Sequence, residues 1–147
     1  MPKPGEMDRL TGLLDAISLR SRPFLVECSE AKMLAISNID LALERYWNLT
    51  RQALDNVDVS LPEELGSDRY FDIVRQALET GVLSASYVDA LEKLRSGFLN
   101  VVLRPAVGVY LKKQTEQTSE LERLYENALR LDGLLELANF LRRVSKR

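Results

Sequence analysis

The sequence predicts an all-α protein, an up-and-down bundle of four or five helices. Three observations carry that expectation. Apolar residues recur at three- and four-residue steps through most of the chain, no alternating apolar-polar stretch of strand type competes, and the polar connections between periodic segments look short. No repeat of 20 to 50 residues interrupts this pattern. With 147 residues, 46% of them hydrophobic, the chain is long enough for one core and short for two, so residues 1–147 are expected to form a single domain.

A first helix fits GEMDRLTGLLDAISLR, where Met7, Leu10, Leu13, Leu14 and Ile17 share a face. Pro23 then predicts a break, because proline lacks the N–H that a helix interior needs. A second helix is expected from Ser29 as N-cap, with Glu30 in its first turn and an apolar set of Met33, Ile36, Ile39, Leu43, Tyr46, Trp47 and Leu54 before Asn56. Nearly thirty residues would make a rod of roughly 40 Å, which needs a partner along most of its length.

The cluster of Asp, Asn, Ser, Pro and Gly in DNVDVSLPEELGSD predicts a loop. Ser67 and Asp68 then cap a third helix that turns Tyr70, Phe71, Val74 and Leu78 inward and stops at Gly81. A fourth helix opens at Ser84 or Ser86 and runs through Tyr87, Leu91, Leu94 and Phe98 toward Val102, with Pro105 as its expected stop. After the polar stretch KKQTEQTSE, a last helix carries Leu121, Leu124, Ala128, Leu131, Leu135, Ala138 and Leu141 in near-heptad steps. The tail RRVSKR supplies cations where the helix dipole favours them. The long second helix and the heptad-like last helix offer more apolar area than a small core needs, so a twofold dimer is expected.

Composition narrows the chemistry. A formal net charge of -2 gives no global pull toward nucleic acid or a membrane surface. No apolar window approaches the roughly 18 residues needed to span a bilayer, and MPKPGEMDRL lacks the apolar run of a signal peptide. A single cysteine, Cys28, excludes an intramolecular disulfide and a zinc-finger site, so no cofactor or metal is expected and the compartment is expected to be the cytoplasm. There is no histidine at all, which excludes a Ser-His-Asp triad, a histidine base and imidazole ligands. Tyr46 and Trp47 read as core or dimer contacts, although Arg45 and Arg51 flank them as in a stacking platform.

One ordered series of segments carries a resemblance. AISNIDLALERYWNLTRQALD, a Pro-containing loop, and RYFDIVRQALETGVLSASYVDALEKLRSGFLN resemble, over about Ala35 to Asn100, the HepT-like branch of the HEPN superfamily. The resemblance implies a HEPN-like fold, a homodimer of four- or five-helix bundles, and metal-independent ribonuclease activity at the subunit interface. It also implies pairing with a minimal nucleotidyltransferase antitoxin that modifies a tyrosine beside the catalytic motif. That motif is an arginine, four to six residues, a histidine, one residue, and often the tyrosine.

Here the chain departs from the pattern. Anchoring on Gly97, Phe98 and Asn100 puts Leu99 at the family's arginine and Arg104 at its histidine; starting instead from Arg104 puts Val109 at the histidine. Tyr110 matches the motif tyrosine only if RPAVG is an insertion. RNA cleavage needs a group that takes the 2′-hydroxyl proton and one that stabilises the transition-state charge, and a guanidinium cannot be the base. The expectation is therefore a non-catalytic HepT-like protein, acting through homodimerisation and a nucleotidyltransferase partner, with Arg104 and Tyr110 as the residues for RNA or nucleotide and with Leu99 and Asn100 at motif-equivalent positions. Two other readings stay open: an active ribonuclease toxin with a rearranged site, and a helical adaptor unrelated to this family.

Overall fold

The computed structural model describes residues 4–54, 57, 67–113 and 118–145, and these form helices α1 (Pro4–Ser37), α2 (Ile39–Leu54), α3 (Ser67–Thr80), α4 (Ala85–Gly97), a π-helical turn (Phe98–Leu103), α5 (Arg104–Lys113) and α6 (Thr118–Ser145). The expected loop between Asn56 and Gly66 lies outside the described residues except for Val57, and so does most of the polar stretch before α6.

The first two helices differ from expectation. α1 continues through Pro23 for 34 residues, and Ser29, expected as an N-cap, sits inside it with its hydroxyl donating to the Leu25 carbonyl at 3.2 Å. Pro23 is tolerated because it is exposed, so the carbonyl it cannot serve faces water. On the opposite side Ile17, Ser21, Phe24, Cys28, Ala31 and Ala35 follow one another at four- and three-residue steps, and all are buried. That unbroken seam holds the helix together across the proline.

The real break is Asn38. Its N–H still donates to the Leu34 carbonyl at 2.8 Å, its own carbonyl accepts from Ala42 at 3.1 Å, and its side-chain Oδ1 accepts from the Leu41 N–H at 3.2 Å. One residue thus ends α1 and caps α2. The chain then doubles back, since Arg45 of α2 reaches Glu30 of α1 at 3.5 Å. The expected 40 Å rod from Ser29 is a helical hairpin, and Met33 and Ile36, assigned to its inner face, are 71% and 63% exposed.

α3 and α4 follow expectation more closely. Tyr70 and Val74 are buried and Phe71 and Leu78 half-buried, and α3 ends at Gly81, whose φ of +71° is the left-handed position where only glycine is unstrained. Ser84 is the residue before α4. Pro105, expected as a stop, is crossed. The π turn ahead of it, in which the Arg104 N–H donates to the Leu99 carbonyl, moves the backbone out of α register where the proline ring would press on the carbonyl four residues back. α4, the π turn and α5 therefore act as one rod.

α6 is the axis of the bundle. Its buried residues, among them Leu121, Leu124, Leu131, Leu134, Leu137, Ala138 and Leu141, cover about two-thirds of its circumference. It packs on α1, α2 and α4. The heptads of the last helix are thus used mainly within the bundle, and among the described residues α6 leaves no large apolar side chain fully exposed. Ion pairs fix directions: Arg20 meets Glu122 at 3.0 Å and Glu126 at 3.2 Å, and Lys32 meets Glu136 at 3.8 Å, so α1 and α6 run parallel. Successive rods alternate, giving an all-α, up-and-down bundle of five rods in which first and last point the same way.

Replacing Asn38 with Ala removes the side-chain cap and is expected to lower stability by about 1 kcal/mol. Replacing Pro23 with Ala restores an internal hydrogen bond and is expected to raise stability by about 1–3 kcal/mol. Urea unfolding followed by helical circular dichroism measures both.

Candidate functional site

The residues marked by the family resemblance lie along the π turn and α5. Leu99 is half-buried and packs against the core, while Asn100 and Arg104 are exposed. Tyr110 is half-buried and packs on the core. Tyr110 is six positions after Arg104, about 240° around a helix, so within one chain they face different ways and share no site. Val101 in the π turn and Val109 on α5 are 50% and 51% exposed.

A different surface gathers more chemistry. Trp47 and Arg51, one turn apart on α2, face Asp68, Phe71, Asp72 and Arg75, a single stripe of α3, across a groove of about 630 Å³. Trp47 stands edge-on to Phe71 with centroids 5.4 Å apart, and the Arg75 guanidinium lies 5.9 Å from the centre of the Trp47 ring. That cation–π contact orients the guanidinium over an aromatic face. Among the described residues two arginines and two aspartates line the same groove, so their charges balance.

Sequence reading picked out Trp47 and Arg51 but gave Asp68 only a capping role and passed over Asp72 and Arg75. The signal was the i, i+3, i+4, i+7 spacing of Asp68, Phe71, Asp72 and Arg75, which puts them on one helix face.

Behind the groove lies a buried tyrosine cluster. Tyr46, Tyr70 and Tyr87 are each at most 2% exposed, with Tyr46 and Tyr70 ring centres 5.5 and 5.4 Å from that of Tyr87. The Tyr46 and Tyr70 hydroxyls hydrogen-bond to each other, and the Thr50 hydroxyl donates to the Tyr46 carbonyl at 2.7 Å. Burial pushes all three phenols well above their ordinary range. Burial also pushes the Cys28 thiol from 9.0 up to about 12, which Lys32 opposes and Glu27 and Glu136 reinforce. At neutral pH these groups are held protonated, so none is a ready nucleophile or base. Among the described residues no group of acidic, histidine or cysteine side chains is arranged to hold a metal ion, and no helix is long and apolar enough to cross a membrane.

Compared with family models, with curated proteins and with solved structures, the chain gives no match.

The raised thiol and phenol values set an alkaline limit on stability. A folded-state value above the unfolded one means the folded protein retains the proton, so the stabilisation is full below about pH 9 and is lost as pH climbs through about 12 for Cys28, with the tyrosines adding loss in the same direction above pH 10. The urea midpoint is expected to hold level from neutral pH to about pH 9 and to fall above it. Tyrosinate absorbance from the three buried rings should rise only together with unfolding.

Proposed function

We propose that this chain works by binding and not by turnover, as a non-catalytic HepT-like bundle that associates with a second copy of itself and with a partner protein of nucleotidyltransferase type. The observation that carries the binding reading is the α2–α3 groove, where Arg51 and Arg75 alternate with Asp68 and Asp72 around Trp47 and Phe71. A nucleic-acid backbone laid there would meet as many carboxylates as guanidiniums, and phosphate binding draws its strength from uncompensated cations. A protein surface bearing both signs and an aromatic or arginine anchor suits it better.

The family assignment rests on the order of segments from Ala35 to Asn100. The π turn at Phe98–Leu103 supports it, because such turns are frequent at functional sites and this one falls in the stretch that resembles the family's motif. The non-catalytic character rests on the lack of histidine and on the protonated state of the buried thiol and phenols. Binding of RNA or nucleotide is left to Arg104, since Tyr110 turns away from it.

Trp47 is the chain's only tryptophan, so its emission reports directly on the groove. Titration with a minimal nucleotidyltransferase is expected to shift that emission, single-stranded RNA is expected to leave it unchanged, and Arg75→Ala is expected to weaken the protein-induced shift. A response to RNA with none to the protein would overturn the assignment of partner. Metal-independent RNA cleavage by the purified chain, abolished by Arg104→Ala, would replace binding with catalysis.

A further inference from the structure

The outer face of α1 carries a pattern that the fold leaves uncovered. Leu19, Val26 and Met33, at seven-residue steps, are 69%, 48% and 71% exposed on the side of the helix away from its buried seam. A groove of about 420 Å³ runs along this face, between the row Arg22, Val26, Glu30 and the row Leu25, Ser29, Met33. All of its lining residues belong to α1.

The chemistry of this face is symmetric about Val26. Reading outward, Arg22 and Glu30 stand four residues to either side, and Leu19 and Met33 seven. All five side chains fall within about 40° of Val26 around the helix. We propose that α1 docks against α1 of a second copy, antiparallel, about a twofold axis at Val26. Each layer is then matched: Leu19 on the partner's Met33, Arg22 on the partner's Glu30, and Val26 on the partner's Val26.

An isologous interface must be self-complementary in this sense, whereas a surface built for an unlike partner has no reason to mirror itself. The parallel arrangement would set Arg22 against Arg22 and Glu30 against Glu30, so the charges select the antiparallel one. Arg22 has no ion pair among the described residues, while Glu30 has only the exposed Arg45 at 3.5 Å. Arg20 and Lys32, which would come level with each other across the axis, are already engaged by Glu122, Glu126 and Glu136 of α6. From Leu19 to Met33 the contact spans about 21 Å. That is at the small end of specific interfaces, so association in the micromolar range is expected.

The inference rests on the self-association part of the proposed function and names its surface, and the test separates the two. In sedimentation of the full chain, Arg22→Glu and Glu30→Arg are each expected to weaken self-association about tenfold, and the two together to restore it. Under mild oxidation Val26→Cys is expected to form a disulfide-linked dimer, because Val26 lies on the axis. Val109→Cys, equally exposed on α5, is not, and the native Cys28, 4% exposed, does not compete. A dimer indifferent to both charge reversals, or one in which positions 26 and 109 cross-link equally, leaves self-association standing and removes α1 as its site. A chain that stays monomeric at tens of micromolar, with no cross-link at position 26, removes both.

Discussion

The closeness of α1 to α6 is the constraint on which the bundle depends. At Gly133 a side-chain carbon would lie 2.7 Å from Leu25 Cδ2, the end of a flexible side chain, and at ordinary contact distance, 3.8 Å, from Cys28 Sγ and Phe24 Cε1, so the glycine lets Leu25 of α1 rest directly on the α6 backbone. Ala31 and Ala35 on α1 and Ala128 and Ala138 on α6 are buried in the same core. Small side chains allow close backbones, and the dispersion contacts of a dense interior then extend along both helices. Polar contacts fix the register: Arg20 and Lys32 reach glutamates of α6, and the Arg130 guanidinium lies 5.9 Å from the Phe24 ring centre. The ion pairs, each with at least one largely solvated partner, add little energy and chiefly define alignment.

From that parallel pair the remaining elements take their places. α2 must return along α1, and Asn38 achieves this with one residue because its backbone and side chain together satisfy groups of both helix ends. The return brings Tyr46 into the core beside Tyr70 and Tyr87 and leaves Trp47, its neighbour in sequence, at the surface opposite Phe71. The α2–α3 groove is thus a consequence of the hairpin. A straight helix through Asn38 would have carried Trp47 far from any partner on α3.

Burial divides the chain's reactive groups into two populations. Cys28 and the three core tyrosines are shielded from water, and withdrawal from water favours their neutral forms. The exposed population consists of Arg, Lys, Asp and Glu on helix faces, paired in part across α1–α6 and, through the Arg95–Asp132 pair, across α4–α6. With no imidazole in the chain, nothing bridges the two populations with a group that takes and returns a proton near neutrality.

Local periodicity in the sequence was enough to establish helices throughout and the end of α3 at Gly81, because each depends on spacing within a few residues and on one glycine's backbone freedom; in α6 it selected Leu135, which is half-buried, and passed over Leu134 and Leu137, which are fully buried. It was also enough to exclude histidine chemistry. The breaks were decided elsewhere. Pro23 and Pro105 are strong local stop signals that the structure overrides, one by exposure above a continuous seam and the other by a π turn, while Asn38 carries a weak signal and makes the sharpest turn. Which faces are covered was likewise a tertiary matter: the heptads of α6 look like a dimer seam and are internal, whereas Leu19, Val26 and Met33 stay open. Periodicity says that a face is apolar, and only the arrangement of the other helices determines what, if anything, lies against it.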